Sequence, residues 1–162
     1  GEFYFRVFKY KNKIFSIAKN KNVDAVIYES NNWFGDFSPC FNILSNVRHT
    51  AVHVRGDFLY IFYTVVGDTP ESIYYCKLKI DEDVNKWEVI SNNRLTKAQF
   101  SFEGARANII PSMYGSATAR YGIMNLNELR DPCIFEEDNN LYLLYSFSGE
   151  AGIAMGKLKY NE

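Results

Sequence analysis

Apolar and polar positions alternate on both sides of a short turn in two stretches of the chain, VHVRGDFLYIFYT and CIFEEDNNLYLLYS. Alternation of period two, interrupted by Gly, Asp or Asn, predicts a β-hairpin in each. The longer segments around them, RHTAVHVRGDFLYIFYT (Arg48 to Thr64) and RDPCIFEEDNNLYLLYS (Arg130 to Ser146), align without a gap. Arg130 falls on Arg48, Leu141-Tyr142 on Leu59-Tyr60, and Tyr145-Ser146 on Tyr63-Thr64. A fainter copy, FYFRVFKYKNKIFSIAK (Phe3 to Lys19), opens the chain, with Ile14-Phe15 in place of Leu-Tyr. Each hairpin is followed by a further strand-like run: DAVIYES, SIYYCKLKI and GIAMGKLKY. In the first two copies a polar loop then leads to an aromatic residue, Trp33 or Phe37 and Trp87, where an outer fourth strand is expected to begin. The pattern predicts units of four antiparallel strands.

Twelve Tyr and thirteen Phe, with only four Pro and ten Gly, favour an all-β fold, because aromatic side chains suit a pleated, half-buried surface. The first two copies are offset by 45 residues, Ile14 to Leu59, which matches the roughly 40–50 residues of a propeller blade. The expected architecture is therefore a partial β-propeller of about three four-stranded antiparallel blades. It forms a single domain over 1–162, with units at about 1–40, 41–92 and 128–162. Residues 93–127 lack alternation and read as a long insertion, the kind of loop that usually carries function. Tyr114 and Tyr121 within it either stack on a ligand or pack against the domain. The third unit ends at GKLKYNE without a fourth strand. An incomplete ring exposes strand edges and apolar faces, so self-association into a homo-oligomer is expected.

Charge narrows the partners. Eighteen basic residues against nineteen acidic ones give no field that would attract nucleic acid or an anionic membrane, so a small neutral partner fits better. Cys40, Cys76 and Cys133 are widely spaced and odd in number, which supports neither a disulfide framework nor a zinc site. His49 and His53 lie four apart on a strand-like run, about 13 Å rather than one helical turn, so no shared metal is expected. No cofactor motif is present. The absence of a signal peptide or a long apolar run in these residues leads to the expectation of a cytoplasmic protein, unless the natural N-terminus lies elsewhere.

The copies provide an internal test, since what they share suggests scaffold and what one changes suggests function. Arg48 and Arg130 are shared, and serve either as inter-unit clamps or as ligand-binding residues. Beside them Tyr4, His49 and Asp131 occupy one slot. Pro132 is expected to hold Asp131 extended, so that it lines a cavity or, alternatively, forms a turn or ion pair. His49 is a candidate for hydrogen bonding to a neutral ligand, or a core histidine. Arg6 either grips a ligand or supports the scaffold. Glu136, Glu137 and Asp138 cluster at a hairpin tip and are expected only to meet solvent, while Asp68 and Glu150 read as turn residues.

The segments LRDPCIFEEDNNLYLLYSFSGEAGIAMGKL and RHTAVHVRGDFLYIFYTVVGD, with the linking FEG, resemble the five-bladed β-propeller glycosidases of the glycoside hydrolase family 43 type. The resemblance implies a carbohydrate partner and catalysis by carboxylates contributed from different blades. It casts Asp131 as the orienting group and Glu103 as the proton donor, although Glu103 also reads as a surface-loop glutamate meeting solvent; Arg6, Arg48, His49 and Arg130 are the candidates for contact with substrate. The family's Glu-Gly-Pro is Glu-Gly-Ala here. Paired carboxylates are needed to protonate the leaving oxygen and activate water. A five-bladed ring of such units needs roughly 225 residues, so the chain is expected to be an incomplete catalyst. The alternative is a sugar- or protein-binding module on the same scaffold. A looser likeness, of ESNNWFGDF to the Asp-box turn of sialidases, suggests a further propeller type.

Overall fold

The computed structural model describes residues 3–21, 23–112 and 125–160, and among these the protein is all-β. Three antiparallel sheets follow one another along the chain. Unit 1 has strands β1 (Phe3–Tyr10), β2 (Lys13–Asn20), β3 (Asp24–Ser30) and β4 (Ser38–Leu44) in consecutive order. Unit 2 repeats the plan with β5 (Val47–Arg55), β6 (Phe58–Val65), β7 (Ile73–Lys79) and β8 (Glu88–Thr96). Unit 3 consists of β9 (Leu129–Glu137), β10 (Asn140–Phe147) and β11 (Gly152–Leu158).

The gapless alignment is reproduced in the strand boundaries. Shifting β2 by the offset of Leu59 from Ile14 gives β6, and shifting β5 and β6 by the offset of Leu141 from Leu59 gives β9 and β10. Leu59 faces Leu78 across its sheet, and Leu141 faces Leu158 in the same way. The fourth strands begin directly after Phe37 and Trp87, where the sequence placed them, but they continue to Leu44 and Thr96, past the expected unit boundaries. These outermost strands are exposed or only partly buried along their length, so alternation fades where no second face is buried. The insertion therefore starts after Thr96.

Between units the sheets pack face to face. Phe15, Ile17 and Ile27 of unit 1 meet Leu59, Ile61 and Leu78 of unit 2. On the other side of unit 2, Phe62 and Ile73 meet Leu129 and Leu143. Fully burying a side chain of this size contributes about 1.5–3 kcal/mol, so these two seams hold the units together. The first strands lie side by side, β5 packing against β1 on one flank and β9 on the other. Arg6 Nε donates to the Thr50 carbonyl at 3.0 Å across the first of these junctions.

Candidate functional site

All three first strands carry a β-bulge at the same place. Pairing slips between Phe3 and Arg6, between Val47 and Thr50, and between Arg130 and Cys133. A bulge sets two residues against one and re-aims a side chain. The residues in the bulges are the slot at which the copies diverge: Tyr4, His49 and Asp131. Tyr4 has φ 55° and Asp131 φ 48°, both in the left-handed region. Asp tolerates that region, but a bulky Tyr rarely adopts it, and such backbone costs about 1–3 kcal/mol. The expectation that Pro132 keeps Asp131 extended is corrected here, because the bulge turns the chain immediately before the proline.

The bulges bring the three slot residues into one line across the units. The Tyr4 and His49 rings meet edge to face with centroids 4.7 Å apart. His49 Nδ1 lies 2.6 Å from Asp131 Oδ1, an ion-pair distance, though off the line of a well-aligned hydrogen bond. Ser146 Oγ donates to Asp131 Oδ2 at 2.7 Å. Partial burial pushes the Asp131 carboxyl up, but His49, the Ser146 hydroxyl and the Arg48 charge outweigh it and hold the group below the ordinary carboxylate range. Asp131 is thus an anion at neutral pH, and with 43% of its side chain exposed it is open to a ligand. Lys19 Nζ lies 5.7 Å from the Tyr4 ring, and burial, with the nearby Arg48 charge, pushes its ammonium pKa down.

Arg48 and Arg130 lie one residue before the slot and point into the seam between units 2 and 3. Arg130 is 2% exposed, and each of its nitrogens has a carboxylate partner: Nε with Glu71 at 2.7 Å, Nη2 with Glu128 at 2.5 Å and Nη1 with Glu150 at 3.1 Å. Arg48 Nη1 is 3.7 Å from the same Glu71 oxygen, so one buried carboxylate is shared by the equivalent arginines of two units. Burial raises the pKa of Glu71 and of Glu128 against the pull of both arginines. Arg130 has the geometry of an inter-unit clamp, reaching from unit 3 to Glu71 of unit 2, whereas Arg48 meets Glu71 within unit 2; Arg6, bonded to the Thr50 carbonyl, joins units 1 and 2.

Glu103 is buried rather than in contact with solvent. It lies in a single 3-10 turn, Ser101–Glu103, where its Oε2 accepts the backbone N–H groups of Gln99 at 2.7 Å and Phe100 at 2.9 Å. Its Oε1 accepts the Tyr145 hydroxyl at 2.6 Å. Burial and that bond raise the Tyr145 pKa. Neighbouring strand residues point to opposite faces, so Tyr145 holds Glu103 on the side of β10 opposite the one from which Ser146 reaches Asp131. The glycine of FEG also has a local role, since Gly104 has φ 81° and a Cβ there would sit 2.2 Å from the Leu126 carbonyl oxygen.

His53 is separate from the slot line. Its Nε2 is 2.7 Å from the Tyr160 hydroxyl, and among the described residues no group of His, Cys, Asp and Glu has the arrangement to hold a metal. Tyr114 and Tyr121 lie outside the described residues. The sequence reading overlooked Ser146 and Lys19, although the same alignment pairs them through Thr64 as a second divergent slot, on the strand facing the bulge. Glu71 and Glu128 were also overlooked, because each precedes a strand in a stretch that the copies do not share. In sum, the site offers one exposed carboxylate, an imidazole, a hydroxyl and an aromatic edge, a set suited to hydrogen bonding with neutral hydroxyl groups. No family model matches the chain. A stretch of 113 residues, 69% of the chain, is 35% identical to an uncharacterized protein of Acanthamoeba polyphaga mimivirus, and the match spans 30% of that protein's length.

Proposed function

We propose that the chain is part of a carbohydrate-active β-propeller, with its three sheets as consecutive blades and the Tyr4–His49–Asp131 line on the side facing the ring axis. One observation carries the reading: the same bulge, at the same position of three repeated strands, brings three different polar or aromatic residues into contact. Shared geometry with divergent side chains is the pattern of a site built on a repeated scaffold. The anionic Asp131 accepts hydroxyl hydrogens, His49 orients it, and the Tyr4 edge offers an apolar surface to a sugar ring. The resemblance to family 43 glycosidases supports a sugar as the ligand.

Within these residues the site binds rather than hydrolyses. Glycoside hydrolysis needs a second carboxyl group across the sugar, roughly 5–9.5 Å from the first depending on stereochemistry, and both oxygens of Glu103 are already bonded to backbone amides and to Tyr145. Calorimetric titration with arabinose, xylose and galactose and their short oligomers tests this. Millimolar or tighter binding of one of them, weakened at least tenfold by Asp131→Asn and by His49→Ala, is expected, with no turnover of the matching aryl glycosides. Absence of binding to the folded protein, or binding indifferent to Asp131→Asn, overturns the assignment. Turnover that Asp131→Asn abolishes would instead show that the residues present suffice for catalysis.

A further inference from the structure

Strand pairing sets one row of side chains across the face of unit 2 that looks toward unit 3. His53 faces Tyr60, Tyr60 faces Lys77 and Lys77 faces Ser91, and residues paired across neighbouring strands project to the same side. In unit 1 the equivalent row runs Phe8, Phe15, Glu29, and its charge is neutralised by Lys13 at 2.8 Å. The charge in unit 2 has the opposite sign and different surroundings. Lys77 is half-buried, its Nζ 4.3 Å from the centroid of the Phe58 ring and 5.6 Å from that of Tyr60. Among the described residues no carboxylate pairs with it.

Tyr60, Lys77 and Ser91 of this row line a cleft of about 290 Å³ between units 2 and 3. That volume is near the lower end of the range for small-molecule sites, about 300–1,000 Å³. The facing pair Leu141 and Leu158 lines it from unit 3, and Lys159 and Tyr160 continue the lining. Tyr160 is held firmly: its hydroxyl is 2.7 Å from His53 Nε2, the Arg55 guanidinium lies over its ring at 4.0 Å, and its ring meets Tyr60 at 5.5 Å. A wall fixed in this way is pre-organised, so less ordering opposes binding. Burial lowers the His53 pKa and leaves its imidazole neutral at neutral pH. The formal charge lining the cleft is therefore that of Lys77 and Lys159, and no acidic residue lines it.

We propose that this cleft binds a small aromatic molecule carrying one anionic group, a carboxylate or a phosphate. The ring of the ligand packs among Tyr60, Tyr75 and the Leu141–Leu158 pair, in the offset or edge-to-face contacts that aromatic quadrupoles favour. Its anion meets Lys77 and gives the ammonium the charge-assisted hydrogen bonds that ring faces do not supply. Ser91, beside Lys77, offers a hydroxyl donor to the same group. None of Tyr4, His49 and Asp131 lines the cleft, so the inference is independent of the sugar site.

The test is calorimetric titration of the 162-residue protein with 2-naphthoate and 2-naphthyl phosphate, beside neutral 2-naphthylmethanol and cationic 2-naphthylmethylamine. At least one anion should bind with a Kd below about 1 mM, at least tenfold more tightly than the alcohol, while the amine does not bind. Whichever anion binds more tightly names the group that Lys77 takes. Lys77→Met, which keeps an unbranched stem over the two rings, should weaken that anion at least tenfold, and so should Tyr60→Ala. Circular dichroism checks that each variant is folded; if Tyr60→Ala is not, Lys77→Met and the ligand series still decide. Absence of binding by either anion, equal affinity for anion and alcohol, or affinity unchanged by Lys77→Met overturns the proposal. Displacement of the anion by arabinose, xylose or galactose also overturns it, because the anion would then occupy the slot line.

Discussion

Two faces of the same repeated sheet have opposite surroundings. The face of unit 2 that looks toward unit 3 buries Phe62 and Ile73, whereas the corresponding face of unit 3 displays Ile153 and Met155. Ile73 precedes the residue opposite Tyr63, and Ile153 precedes the residue opposite Tyr145, so the two isoleucines are equivalent in register. Yet Ile73 is 0% exposed and Ile153 is 76% exposed. Burial in this fold is therefore set by the neighbouring unit and not by the strand that carries the residue. The first face of unit 1 provides a third case. There small residues, with Phe37 folded over Ala18, Val26 and Tyr28, close the sheet from within its own unit, and the Phe5 and Phe37 rings meet 4.9 Å apart.

The closed seam also contains the buried ion cluster, so the largest difference between the two faces should come from removing its centre. Arg130→Met leaves Glu71 and Glu128 buried without their main cation, and a loss of about 3–5 kcal/mol in urea denaturation is expected. If the loss is under 1 kcal/mol, the cluster is not what fastens the seam. Next is the equivalent pair. Ile73→Ala should cost about 2–5 kcal/mol, and Ile153→Ala no more than about 0.5 kcal/mol; equal losses would mean that unit 3 is covered in solution. Placing a charge on the open face, with Ile153→Lys, should leave stability nearly unchanged, because that side chain is 76% exposed; a lower sedimentation coefficient at micromolar concentration would instead show that copies associate through it.

The smallest effect is on pH dependence. The carboxyl of Asp131 is held below its ordinary range in the folded protein, so its contribution is present above the unfolded value near 4 and is lost as pH falls through the lower, folded one. Its exposure limits the contribution to about 0.5 kcal/mol. The stability of Asp131→Asn should lie below that of the wild type at neutral pH and converge with it below about pH 4.

How much of this was legible in the sequence follows from what repeats can and cannot encode. The hairpins and their registers could be read directly, because alternation and turn residues are local and the copies confirm one another. The divergent slot was found for the same reason. The bulges could not be read, because an extra residue in one strand is visible only against its partner. The buried glutamates were hidden for a related reason: Glu71 is read correctly only once Arg48 and Arg130, 59 residues apart from it in the second case, are seen to meet it. For Glu103 the motif was visible but its surroundings were not. A carboxylate that caps a turn and one that faces a cavity look alike in the sequence FEG.

The bond between Glu103 and Tyr145 bears on the order in which the molecule assembles. It spans 42 residues, and closing a flexible loop of that length costs about 3 kcal/mol in chain entropy before any constant is added. A single charge-assisted hydrogen bond, at about 1.5–3 kcal/mol, does not by itself outweigh that cost. The ends must already be held near each other, which requires the β9–β10 hairpin to have docked on unit 2. The turn at Ser101–Glu103 is therefore a late element that reports on the docking of unit 3. The Gln99 and Phe100 amides, which donate to Glu103, should exchange with solvent at the rate at which unit 3 undocks rather than at the rate of a local loop.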